Sequence, residues 1–152
     1  AVIAILFRVL MAFRDRGPRK AKSPDALAIH SLVAMSQVAI ADGRIDDSEV
    51  QQISGILTRL TGTPYAPQQV MELLSRLNPS PSDIDQIGEG LSEKDRQIVL
   101  EAALNIAVAD GEIHPNEYEV VSDLAQRMRI GADQFRNAMA RISAHLQTVA
   151  QV

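Results

Sequence analysis

The sequence predicts an all-α bundle, and three observations carry that prediction. Apolar residues recur at helical spacing along most of the chain, as in Val50, Ile53, Ile56, Leu57 and Leu60. No segment shows strand alternation bounded by hairpin signals. Good helix formers dominate, while only 3% of the residues are aromatic and none is Trp, so the core must be aliphatic and rich in alanine. At 152 residues, 46% hydrophobic and 22% charged, the chain suits one domain with a proper core.

The elements follow in order. AVIAILFRVLMAF, residues 1–13, is apolar on almost every face, with Arg8 as its one charge. As a helix it spans about 20 Å, short of a bilayer core of about 30 Å. The RDRGPRKAK that follows is the kind of basic flank that stays cytoplasmic. A buried first helix, a membrane anchor and a helix lying on the membrane surface all fit. An intact secretory signal does not, because no small-residue cleavage site follows.

Gly17-Pro18 breaks this helix, and Ser23-Pro24 reads as an N-cap with Pro at the first helical position. Leu27, Leu32, Met35, Val38 and Ala39 then suit a helix to Asp42, ended by Gly43. A second helix is expected over residues 47–60, and a third carries Val70, Leu73, Leu74 and Leu77 after the TGTPYAP loop. NPSPS (78–82) is a linker, and a short helix ends near residues 88–90. Ser92 with Asp95 resembles a capping box that opens a helix carrying Ile98, Val99, Ala102, Ala103 and Ile106, which Gly111 stops. Val120, Val121, Leu124 and Met128 mark the next helix, ended by Gly131, and Phe135, Ala138, Met139 and Ile142 mark the last.

One phrase is written twice. AIADGRIDDSE at 39–49 returns as AVADGEIHPNE at 107–117, identical at six of eleven positions. Arg59-Leu60 matches Arg127-Met128 at the same 68-residue offset. Past the TGTP loop the offset falls to 65, where Arg76-Leu77 matches Arg141-Ile142. The expectation is therefore a domain over 23–152 made of two pseudo-symmetric three-helix repeats, about 25–77 and 92–145. The apolar and basic segment 1–22 precedes it.

Charge and composition narrow the function. The net −4 conceals a split: residues 1–22 hold six basic groups against Asp15, a local +5, and residues 23–152 hold nine basic against eighteen acidic groups, a local −9. An acidic body argues against nucleic acid, whose phosphates need a basic face. It suits cations or the basic surfaces of other proteins. The absence of Cys removes disulfides, thiolate metal sites and cysteine nucleophiles. No Gly-rich phosphate loop, Ser-His-Asp set or HExxH is present, so no enzyme is expected. His30 and His145 lie in helices without an acid–base partner at obvious spacing, and read as ordinary packed or surface histidines. His114-Pro115-Asn116 lacks the final Asp of a J-domain loop.

Each copy of the repeated phrase joins two helices. Gly43 and Gly111 permit a left-handed turn, and Ile45 can enter the core to fix its turn. Glu49 stands three residues after Asp46, the spacing of a capping box, and Glu117 stands three after His114. Both glutamates can thus serve only to satisfy helix N-termini. Asp42 and Asp110 fall in the expected last turn of a helix, where the dipole disfavours a carboxylate by about 0.3–1 kcal/mol. Twice beside a glycine, such an Asp either accepts hydrogen bonds in the turn or helps to hold a cation. Asp-Gly-x-Ile-x-x-x-Glu equals the second half of an EF-hand loop. The first half fails, because its first ligand positions fall on Val38, Ile40, Ile106 and Val108. A reduced site survives: Asp42, Asp46 and Glu49 in one half, and Asp110, Glu112 and Glu117 in the other, with His114 as a further candidate. Carboxylates plus water suit Ca²⁺ or Mg²⁺, and His114 would shift the second turn towards Zn²⁺ or another transition metal.

On these two phrases the chain resembles the TerB family of tellurite-resistance-associated helical domains, over about residues 25–145. The resemblance implies a two-repeat helical bundle, cytoplasmic and often membrane-associated at its inner face. It also implies an acidic metal-binding surface, for which the matching positions here are Asp42, Glu49, Asp110 and Glu117. Arg44 in the first copy and His114-Pro115 in the second depart from the pattern. The functions implied are a non-enzymatic metal-binding or metal-responsive scaffold of tellurite or stress response, or a protein–protein interaction module without metal. The second would match the TerB-like region of a membrane-anchored DnaJ-like co-chaperone.

Overall fold

The structure, a computed structural model, describes residues 23–150 apart from 42, 44, 110 and 112. The apolar segment 1–22 lies outside the described residues, as do the side chains of 23–25, 143 and 145–150. The described residues form seven helices and no strand: α1 Ser23–Ala39, α2 Asp47–Thr61, α3 Pro67–Arg76, α4 Pro81–Asp85, α5 Glu93–Ala107, α6 Pro115–Arg127 and α7 Ala132–Ala150. The fold class is all-α, as the periodicity requires.

The centre is a pair of helices. α1 packs along α5, α2 lies on α1, and α6 lies on α5. Each outer helix also reaches the opposite central one, α6 touching α1 and α2 touching α5. The third helices are weighted differently: α3 packs on α2, whereas α7 packs mainly on α5 and meets α6 through the Tyr118 and Phe135 rings, 6.1 Å apart. Only small or aliphatic side chains let two helices run this close with neighbours on several sides. α1 accordingly buries Ala28, Ile29, Ser31, Leu32, Val33, Ala34, Met35, Ser36, Val38 and Ala39. α5 buries Val99, Leu100, Ala102, Ala103, Leu104, Ile106 and Ala107. A helix buried on almost all sides is a core element rather than an amphipathic surface one. Tyr65 is the one aromatic residue of the described core, its carbonyl accepting from Ser54 Oγ.

Caps fix the helix ends. Ser92 opens α5 by accepting the Asp95 N–H at 3.1 Å. Inside the expected linker, Ser80 and Asp83 form a reciprocal capping box that starts the single turn of α4 and buries Asp83. α6 ends differently from expectation. Arg129, at φ 59°, takes the left-handed position assigned to Gly131. Ile130 N–H then bonds to the Ala125 carbonyl at 2.9 Å and Arg129 N–H to that of Gln126 at 3.0 Å, the paired bonds of a Schellman motif. Gly131 instead begins α7, its carbonyl accepting the Phe135 N–H at 2.9 Å.

The candidate metal-binding turns

α1 stops at Ala39, three residues before the aspartate expected in its last turn. The chain leaves the helix through tightened bonds: Ile40 N–H to Ser36 O at 3.1 Å, Ala41 N–H to Val38 O at 3.1 Å and Gly43 N–H to Ile40 O at 3.0 Å. Such short-range bonds satisfy the last carbonyls of a helix. The second copy repeats every one of them 68 residues on: Val108 N–H to Leu104 O at 3.1 Å, Ala109 N–H to Ile106 O at 3.2 Å and Gly111 N–H to Val108 O at 2.9 Å. Gly43 at φ 93° and Gly111 at φ 99° reverse the chain, a conformation L-residues with side chains rarely adopt. Ile45 and Ile113 then pack against the core from partly buried positions and anchor the far side of each turn.

The next helix begins in the same way in both copies. Val50 N–H bonds to Asp46 O at 3.1 Å, and Tyr118 N–H bonds to His114 O at 2.9 Å. The side chain of Glu49 accepts the Asp46 N–H at 3.3 Å, and that of Glu117 accepts the His114 N–H at 3.3 Å. Both glutamates are buried, at 4% and 3% exposure. A carboxylate so placed stays favourable because it faces the positive end of a helix and orphan N–H groups. In the first copy Asp46 completes the box, its Oδ1 accepting the Glu49 N–H at 2.9 Å and the Ser48 hydroxyl at 2.7 Å. In the second copy His114 occupies that place as the N-cap residue.

Each buried glutamate therefore performs the capping role that its spacing permits. A carboxylate offers roughly four lone-pair sites, so capping and cation binding are chemically compatible. Asp42, Asp110 and Glu112 lie outside the described residues, as does Arg44. Among the described residues, no group of three or more His, Asp or Glu side chains is placed to hold a metal ion. Nor, among them, is any helix long and apolar enough to cross a membrane.

One long-range polar contact escaped the sequence entirely. The Nδ1 of His30 on α1 accepts the backbone N–H of Gly88 at 3.0 Å, 58 residues away. Burial pushes the pKa of this histidine below its usual 6.5. No local pattern announces such a bond, since its partner is a main-chain group. The Ser80–Asp83 box, by contrast, was visible as the spacing Ser-x-x-Asp.

No curated protein and no solved structure matches the chain. The family model described as tellurite resistance protein TerB matches residues 28–140. That span runs from α1 into α7 and takes in both copies of the repeated turn, and the chain belongs to the TerB family.

Proposed function

We propose that this protein is a non-enzymatic, metal-binding or metal-responsive scaffold of tellurite or general stress response, working at the cytoplasmic face of the membrane. The observation that supports this reading is the twin construction of the turns. The same backbone bonds, the same left-handed glycine and the same buried glutamate occur twice at one offset. Helix capping needs the glutamate alone. It gives no reason for a second acidic residue immediately before each glycine, Asp42 in one turn and Asp110 in the other. With Glu49 and Glu117 these aspartates supply hard oxygen donors, the chemistry of Ca²⁺ or Mg²⁺, and His114 admits Zn²⁺ at the second turn. Arg44 reduces the net negative charge of the first turn, which makes the second the stronger candidate.

Thermal melting after chelation, with each cation added back, tests this function. A cation at 100 times its dissociation constant stabilises by about 2.7 kcal/mol, a rise of roughly 5–10 °C for a domain of this size. Asp110→Asn should remove most of that rise. If no cation among Ca²⁺, Mg²⁺, Mn²⁺ and Zn²⁺ moves the melting temperature, the metal reading fails.

A second reading is favoured by the capping bonds of Glu49 and Glu117: an interaction module whose turns only tie off helices, as in the TerB-like region of a membrane-anchored DnaJ-like co-chaperone. Its partner would be another protein with a basic surface, held by the acidic body in a salt-sensitive way. Residues 1–22 would carry either form to a membrane surface.

A further inference from the structure

The strap of residues 86–91, between α4 and α5, is tied to each central helix by a side chain: Arg96 of α5 donates to Leu91 O at 3.1 Å, and His30 holds it to α1. Gly88 N–H donates to His30 Nδ1 at 3.0 Å. Around it the strap closes on itself: Ile87 N–H bonds to Ile84 O at 3.2 Å, Glu89 N–H to Gln86 O at 3.0 Å and Leu91 N–H to Gly88 O at 3.2 Å. Ile87 and Gly88 are buried, and Leu91 is 9% exposed. The strap also walls a cavity of about 250 Å³, lined by Asp85, Glu89, Arg96, Arg127 and Arg129 among others. The carboxylates of Asp85 and Glu89 offset these arginines, and Arg127 is paired with both Asp85 and Asp123.

An imidazole can accept at Nδ1 only while that nitrogen is unprotonated. A proton there sets one N–H against another, and the buried Gly88 N–H loses its acceptor. We propose that His30 is an acid-sensitive latch, which holds the strap against α1 when neutral and releases it when protonated. Release uncovers Ile87 and opens the wall of the arginine-lined cavity, while Arg96 keeps its bond to Leu91 O. Besides His30, α1 carries one ionisable residue, Asp25 in its first turn. The charges beside the strap include Asp83 and Asp85 on α4, Glu89 in the strap, Arg96 on α5, and Asp123 and Arg127 on α6; Arg96 comes closest to Gly88, with Cδ 3.4 Å from where a Gly88 Cβ would lie. The cause that lowers the pKa of His30 is its burial.

The sign of the pH effect follows from burial. His30 in the folded chain titrates below the 6.5 of the unfolded chain. Above that value both states are neutral and the latch is fully closed. As the pH falls below it the unfolded state takes up a proton first, so closure weakens, and the loss levels off once the folded state is also protonated.

Hydrogen exchange of the Gly88 and Ile87 amides, corrected for the intrinsic rate at each pH, tests the latch. Protection should fall by about tenfold between about pH 7.5 and about pH 5.5, the loss expected for a buried N–H deprived of its acceptor. His30→Asn places an amide oxygen near the Nδ1 position and cannot titrate, so its protection should stay flat. Wild-type protection that does not change, or His30→Asn protection that falls in parallel, overturns the proposal. NMR titration of the wild-type His30 ring gives an independent arm. Protonation of Nδ1 below 6.5, in step with Gly88 exchange, supports the latch, and a midpoint at or above that value overturns it.

Discussion

Gly43, Gly111 and Gly88 all hold positive φ, yet substitution should separate them. A Cβ added at Gly43 or Gly111 meets nothing within 4 Å, so alanine there suffers backbone strain alone. The expected loss is about 1 kcal/mol each, because the strain of the left-handed conformation is partly offset by a stiffer unfolded chain. At Gly88 the new methyl would stand 2.7 Å from Met128 Cγ. Gly88→Ala should therefore cost roughly 2–4 kcal/mol, strain plus overpacking. Urea unfolding of the three variants checks the order, and equal losses would remove the packing argument. The first two glycines were readable from sequence because each follows a helical run and is repeated in context. The tight packing at Gly88 was not, since Met128 is 40 residues away and comes close only through the fold.

At the scale of the element, helix starts were more legible than helix ends. Asp46 forms with Glu49 the reciprocal box its spacing predicts, while Ser92 caps the Asp95 N–H as half of the expected box. Asp46→Ala should lower stability by about 1 kcal/mol, measured by denaturant unfolding, as loss of an N-cap does elsewhere. Ends were harder to place. α1 was expected to reach Asp42 and stops at Ala39, and α6 was expected to run to Gly131 and turns at Arg129. A residue with a side chain takes the left-handed position at Arg129 because Ile130, packed against the core, pins the chain just beyond it. Propensity alone favours the glycine two residues later, and tertiary contact overrides it.

For the whole molecule, the decisive contact is between α1 and α5. Their burial depends on alanines, among them Ala34 and Ala103, both fully buried. Ala103→Leu should destabilise the domain by about 1–3 kcal/mol through overpacking, while Glu93→Gln at the exposed start of α5 should stay within about 0.5 kcal/mol. Calorimetry of both variants decides whether the central pair is as tightly filled as the burial indicates. The repeated sequence extends to the outer pair of contacts, α2 with α5 and α6 with α1. It extends less fully to α3 and α7: α3 packs on α2, while α7 meets α6 only through the Tyr118–Phe135 edge and packs mainly on α5. α7 is 19 residues long against 10 for α3, and it reaches α5, where Arg141 bonds to Glu101 at 2.6 Å.

The helical class, the two capped turns and the family were legible in the chain because their signals are local. A helix face is set by residues three or four apart, a cap by residues three apart, and a reversing glycine by its own missing Cβ. The histidine–glycine bond, the left-handed arginine and the different seats of α3 and α7 were decided by the tertiary structure. Each depends on groups far apart in the sequence, whose meeting follows from close packing around the α1–α5 pair rather than from any pattern along the chain.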